Sequence, residues 1–282
     1  MCGICGFTGY RQDQKTVIER MMKAIAHRGP DSEGSFCREK ITLGFRRLSI
    51  IDLEDGQQPM ESADGNLHIV FNGEIYDYKE LRAELEAFGI SFCTHSDTEV
   101  LVNTIQQYGE KALDKLRGMF GFAVWNEKEQ TLMLARDFFG IKPVYYAEID
   151  GHFVFASEIK SILAFPGYER KVNQKALEQY LSFQYSPLEE TFFRGIYKLM
   201  PGHMLLYKNG NYEIKTYFKT KLTPGKWNRK TNMDQLRSQL AEILKDSVKH
   251  HMLSDVEVGA FLSGGVDSGY LASASGADQA FT

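Results

Sequence analysis

Six short clusters of apolar, β-branched and aromatic residues recur along the first part of the chain, at Ile41 to Ile51, His68 to Tyr76, Met119 to Trp125, Thr131 to Ala135, Val144 to Ala147 and His152 to Ala156. Clusters of that length and chemistry suit a pleated, half-buried surface, so residues 1 to 218 read as mostly sheet. Asp150-Gly151 and Asn209-Gly210 each separate two such runs, and both dipeptides tolerate the positive φ values of two-residue hairpins. Local pairing is therefore expected to be antiparallel. Helical period is clear in two places. Leu81, Leu85 and Phe88 fall at i, i+4 and i+7 over Tyr78 to Phe88, with Gly89 placed to end the helix. Ser96 and Glu99 read as a capping box ahead of Val100, Leu101 and Ile105, and Gly109 closes that helix. Sheets alternating with helix pairs predict a layered α+β arrangement.

Lys219 to Asn232 is polar and basic and carries Pro224-Gly225, which marks a linker over 219–232. Beyond it, Leu236, Leu240, Ile243, Leu244 and Val248 define an amphipathic helix, and Val256 to Leu262 an apolar strand. The strand runs directly into Ser263-Gly264-Gly265-Val266-Asp267-Ser268. That is the opening of an α/β domain, and one strand cannot build a parallel sheet covered on both faces, so the sequence reads as truncated at Thr282.

Composition removes several classes of function. With 43% hydrophobic and 25% charged residues the chain is a folding one rather than a disordered one. Thirty-three basic against 37 acidic residues leave a net charge of −4, which argues against a nucleic-acid or anionic-membrane partner. No apolar run approaches bilayer length, and the N-terminus lacks a secretory signal, so a cytoplasmic protein is expected. Four cysteines, Cys2, Cys5, Cys37 and Cys93, are too few and too unevenly spaced for a disulfide scaffold.

Cys2 becomes the first residue once the initiator Met is removed, as cells generally do when a small residue follows. Its thiol, ordinarily near pKa ~8.5, then sits beside its own α-amine of about 7.7 to 8, which can serve as its base. Cys2-x-x-Cys5 also has the spacing of a metal or redox pair. Zinc wants four ligands, however, while Cys37 and Cys93 stand alone and no histidine pair lies near them. A redox pair belongs where a strand hands over to a helix, whereas Gly3 and Gly6 place this one inside a strand.

Other residues carry two readings each. Asn72-Gly73 alone is best read as a hairpin turn; alternatively the Asn72 amide and the Gly73 N–H converge on an oxyanion. Asp97 either favours a helix N-terminus or holds an ammonium group, and Arg47 is either a solvated strand residue or a bidentate carboxylate clamp. Ser263 to Ser268 is either a plain turn or a phosphate cradle, with serine hydroxyls as added donors and Asp267 in reach of Mg²⁺. It lacks the lysine of the usual P-loop.

Taken in order, Met1-Cys2-Gly3-Ile4, His27-Arg28-Gly29-Pro30-Asp31, Arg47-Leu48-Ser49-Ile50, Asn72-Gly73-Glu74, Ser96-Asp97-Thr98-Glu99, Arg136 to Pro143 and Ser263 to Ser268 resemble the bacterial type of glutamine-hydrolysing asparagine synthetase. The resemblance spans nearly the whole chain. It implies a class II glutamine amidotransferase domain over 2–218, with the four-layer αββα N-terminal-nucleophile hydrolase fold, and the start of an ATP-pyrophosphatase domain over 233–282. It further implies that Cys2 attacks L-glutamine while its α-amine moves the proton, and that Asn72 and the Gly73 N–H stabilise the oxyanion. Arg47 would take the substrate carboxylate and Glu74 and Asp97 its ammonium, with Leu48 and Ile50 beside them. No cofactor or metal is implied for this domain. Ser263, Gly264, Gly265, Asp267 and Ser268 would bind ATP, with Mg²⁺, for conversion of L-aspartate to asparagine in a complete enzyme. Gly269 departs from the second serine that many relatives carry.

Relatives with a sugar-isomerase domain share the Met-Cys-Gly-Ile start but would not continue into SGGVDS, and Cys2 excludes relatives that close β-lactam rings. An enzyme of this type that amidates another acceptor stays open, as do a non-enzymatic interaction module and the oligomeric state, a homodimer included. A chain of this extent is expected to retain the glutaminase half-reaction alone.

Overall fold

The computed structural model describes residues 1–221 and 232–282. Of the linker expected over 219–232, residues 222–231 lie outside the described residues. The chain divides into two compact units, Met1–Lys219 and Thr220–Thr282.

In the first unit, elements follow in the order β1 (Gly3–Thr8), α1 (Gln14–Ala24), β2 (Ser32–Cys37), β3 (Ile41–Arg47), β4 (Met60–Glu61), β5 (Leu67–Ile75), α2 (Tyr78–Ala87), α3 (Asp97–Tyr108), β6 (Gly118–Asn126) and β7 (Thr131–Arg136). They continue with β8 (Tyr145–Ile149), β9 (His152–Ala156), α4 (Ile159–Ile162), α5 (Gln174–Phe183), β10 (Ile196–Lys198), β11 (His203–Lys208) and β12 (Asn211–Thr216). Two six-stranded sheets form, in the orders β10-β8-β9-β1-β3-β2 and β12-β11-β7-β6-β5-β4. Every pairing is antiparallel. The expected hairpins close β8 on β9 and β11 on β12, with φ of 48° at Asp150 and 51° at Asn209.

Three apolar layers hold these elements together. Ile4, Phe45, Val70, Trp125 and Phe155 pack between the sheets. Val17, Ile18, Met21 and Met22 of α1 bury against Phe7 and Val154 on the outer face of the first sheet. Leu81 and Leu85 of α2 and Val100, Leu101 and Ile105 of α3 bury against Phe71 and Phe122 on the outer face of the second. The result is the αββα sandwich that the resemblance implied. Each fully buried phenylalanine here contributes ~2–3 kcal/mol of transfer free energy.

Of the two readings of Asn72-Gly73, the turn is excluded: β5 runs straight through it, with Asn72 opposite Gly121 and Gly73 opposite Phe120. Three local expectations are corrected. Helices α1, α4 and α5 add three to the two read from sequence in the first unit, although the apolar residues of α1 do keep helical spacing. The capping box is only half formed, because Ser96 accepts from Thr98 N at 3.1 Å while Glu99 bonds to Cys93 N, Thr94 N and Thr94 Oγ1 instead of Ser96 N. In the second unit, the strand expected over Val256 to Leu262 shortens to β13 (Ala260–Phe261), between α6 (Met233–His251) and α7 (Val266–Ser275). It pairs in parallel with β14 (Ala280–Phe281). No helix among the described residues is long and apolar enough to cross a membrane.

Candidate active site

Strand β1 is central in the first sheet and begins at Gly3, so Cys2 stands at the lip of the sandwich. Two contacts fix its position. Arg28 Nε donates to the Cys2 carbonyl at 2.8 Å, and Arg28 Nη1 is itself held by Glu158 at 2.9 Å. The thiol is bracketed by one residue, with Leu48 N–H donating to Sγ and Sγ–H donating to the Leu48 carbonyl, both at 3.4 Å. Burial pushes this thiol above its ordinary pKa, opposed by the Leu48 N–H, the terminal amine and Arg47. The Met1 amine is pushed down, first by burial and then by Lys142 and Arg28. Cys5 is fully enclosed inside β1, and burial pushes it to about 12, as befits a packed thiol.

The end of β5 supplies two donors to the same place. Phe120 turns both main-chain groups to Asp137, its N–H to Oδ2 at 3.2 Å and its carbonyl to Asp137 N at 2.8 Å. Gly73, opposite Phe120, therefore turns its N–H away from β6. On that edge Phe71 N–H donates to Gln58 Oε1 at 2.6 Å and Ile75 N–H to Asp97 Oδ2 at 3.0 Å. Gly73 lies between them and lines the cavity. Any larger residue is excluded there, since a Cβ would fall 2.1 Å from the Met119 carbonyl oxygen. Beside it, Asn72 Nδ2 is buried without a hydrogen-bond partner. A buried unpaired donor is costly unless a ligand completes it.

Charged groups complete the cavity, whose volume is about 230 Å³. Arg47 is buried at the end of β3, and its guanidinium donates to the main-chain carbonyls of Leu53 at 3.2 Å, Ile51 at 3.4 Å and Asp52. Asp97, the first residue of α3, is buried, and that burial pushes its carboxyl up to about 7. Cys2, Arg47, Leu48, Ile50, Asn72, Gly73, Glu74 and Asp97 all line this one cavity. The His27-to-Asp31 motif builds its frame. Gly29 meets the Arg46 main chain so closely that a Cβ would lie 2.3 Å from it, and Asp31 Oδ2 accepts from Ser49 N at 2.8 Å.

Three lining or framing residues had no role in the sequence reading. Gln58 bridges β5 to α3, its Nε2 donating to Thr98 Oγ1 at 3.1 Å. Arg28 and Lys142 both sat inside quoted motifs, but their roles depend on long-range contacts that no spacing reveals. Among the described residues no cluster of metal-ligating side chains occurs.

In the second unit, Ser263 Oγ and Ser268 Oγ lie 3.0 Å apart, and Ser268 Oγ donates to the Gly265 carbonyl at 3.1 Å. Gly264 takes φ +79°, with open space around it, and Gly265 caps α7, whose first turn carries Asp267. Exposed main-chain N–H groups at a helix start, two hydroxyls and a carboxylate suit a phosphate with its cation.

Comparison with known proteins agrees in both parts. The glutamine amidotransferase domain family matches residues 1–218, and the asparagine synthase family matches residues 239–280. Asparagine synthetase [glutamine-hydrolyzing] 1 of Bacillus subtilis is 46% identical over 96% of this chain and 43% of its own length. Asparagine synthetase [glutamine-hydrolyzing] 2 of the same organism is 40% identical over 96% of this chain and 38% of its own. The chain thus spans less than half the length of these relatives. Among solved structures, the glutamine phosphoribosylpyrophosphate amidotransferase from B. subtilis superposes with a TM-score of 0.59 at 19% identity, over 99% of this chain and 65% of that one. At that identity the likeness bears on the fold.

Proposed function

We propose, for a chain that belongs to the glutamine amidotransferase domain family, that the cavity at Cys2 hydrolyses L-glutamine to L-glutamate and ammonia. The observation that carries this reading is the Cys2 thiol bracketed by Leu48 in one cavity with the buried, unpartnered Asn72 Nδ2.

After removal of Met1, the Cys2 α-amine takes the thiol proton as Sγ bonds to the side-chain carboxamide carbon. The carbonyl oxygen becomes an oxyanion, met by Asn72 Nδ2 and the Gly73 N–H, donors that are fixed before the charge develops. The C–N bond then breaks, the amine returns its proton to the leaving nitrogen, and ammonia departs from a glutamyl thioester. Water adds to the thioester, glutamate leaves and the thiol is restored. Arg47 pairs with the substrate α-carboxylate, Asp97 and Glu74 with its ammonium, and Leu48 and Ile50 flank its methylenes.

For the longer protein, the reading extends to ammonia transfer onto L-aspartate in the cytoplasm. ATP with Mg²⁺ supplies activation of the acceptor carboxylate, and Ser263, Gly264, Gly265, Asp267 and Ser268 are the residues here that would hold its phosphates. Glutamate release from L-glutamine by the purified chain tests the central part. The expected result is stoichiometric glutamate and ammonia, falling by about 10³-fold or more in Cys2→Ala; equal turnover in that variant would refute the assignment.

A further inference from the structure

We propose that Lys142 is a positioning residue, a fixed buried charge that keeps the α-amine of residue 2 in its proton-accepting form. This role rests on the glutaminase reading above. The segment from Arg136 to Lys142 is a cage of main-chain bonds whose product is the placement of one side chain. Asp137 accepts from Phe139 N at 3.1 Å, Ile141 N at 2.9 Å and Lys142 N at 2.9 Å. Arg136 donates to the carbonyls of Lys142 at 2.8 Å and Gly140 at 2.7 Å. Lys142 is thereby buried and lines the cavity with Met1, Cys2 and Glu74. None of the ion pairs among the described residues uses its ammonium.

Burial pushes the Lys142 ammonium below its ordinary range and the Glu74 carboxylate in the same cavity opposes that, so the charge persists because the fold over-determines its place. Here it faces the reacting groups. At the Met1 amine, one residue from the Cys2 nitrogen that is freed when Met1 leaves, burial acts first against protonation, Lys142 and Arg28 add to it, and Asp31 and the Cys2 thiolate oppose it. Glu74, Arg28, Cys2 and Asp137 in turn face Lys142, while Arg47 and Asp97 face the thiol. Positive charge beside an amine favours the neutral form, and the neutral form is the one that can take the thiol proton. The same charge makes the protonated amine a better donor to the departing ammonia.

The test is the pH dependence of kcat/KM for glutamine hydrolysis in the wild type, K142M, K142Q and K142R. Loss of the charge in K142M and K142Q is expected to move the acid limb up by about one pH unit, a loss of ~10-fold below the limb that shrinks above it. K142R is expected to keep the wild-type limb. An unmoved limb in the folded neutral variants overturns the proposal. Should neither fold, ¹⁵N titration of the wild-type Lys142 ammonium alongside the Cys2 α-amine decides: an ammonium still charged throughout the titration of the amine supports the role, and one already neutral there overturns it. An inactive wild type would instead remove the glutaminase reading itself.

Discussion

A carboxylate buried at the start of a helix destabilises an empty cavity and becomes useful only when a cation arrives. Asp97 is in that position: burial, with the Glu74 charge beside it, pushes its carboxyl up to about 7 against main-chain hydrogen bonds from Ile75, Thr98 and Asp97 that favour the charged form. In the unfolded chain it titrates near ~3.9. Its contribution to stability is therefore full below about pH 4 and is lost as pH rises through about 7. Asp97→Asn is expected to stabilise the ligand-free protein at pH 7.5 by on the order of 1–3 kcal/mol, an advantage that fades towards pH 4. The same variant should raise KM for glutamine by ~10-fold or more. Thermal melts across that pH range and steady-state kinetics check both; a pH-independent difference would contradict the assignment. At this scale the sequence was readable where chemistry is carried by local motifs. Cys2, Arg47, Asn72, Gly73, Glu74 and Asp97 do meet in one cavity. Lys142 and Gln58 were not readable as lining residues, because their placement follows from contacts with residues distant along the chain.

Elements translate those residues into geometry. Strand β5 uses alternate N–H groups of one edge for Gln58 and Asp97, leaving the glycine between them turned to the cavity. The turn preference of the Asn72-Gly73 dipeptide is overridden because it is local, whereas pairing with β6 on one side and burial on both faces decide the strand. The two helices on the second sheet were legible from their apolar spacing and terminal glycines. Helix α1 obeyed the same rule, with Val17, Ile18, Met21 and Met22 buried on one face. The turn after β7 is the most demanding element, since one carboxylate serves the N–H groups of Phe120, Phe139, Ile141 and Lys142. Asp137→Ala leaves those donors without their acceptor and is expected to cost ~3 kcal/mol or more. Chemical denaturation should show a lower midpoint at an unchanged slope, together with a loss of glutaminase activity; a variant as stable as the wild type would refute the cage.

At the scale of the molecule, the two units differ in how much they bury. Met1–Lys219 encloses three apolar layers, whereas in Thr220–Thr282 Val248 is the one buried side chain among the described residues. We accordingly expect a fragment ending at Lys219 to melt cooperatively and to keep glutaminase activity within about 3-fold, while 220–282 alone shows no cooperative transition. Calorimetry of the two fragments checks this. The switch from strand clusters to helix, strand and SGGVDS is visible in the sequence, but how little of the second unit is enclosed is not. Whether Cys2 is a free N-terminal nucleophile is read out by intact-protein mass spectrometry with a diazoketone analogue of glutamine. Loss of Met1 and a single adduct, mapped by peptide to Cys2, are expected. Retained Met1, or a chain that takes up no analogue at Cys2, would contradict that role.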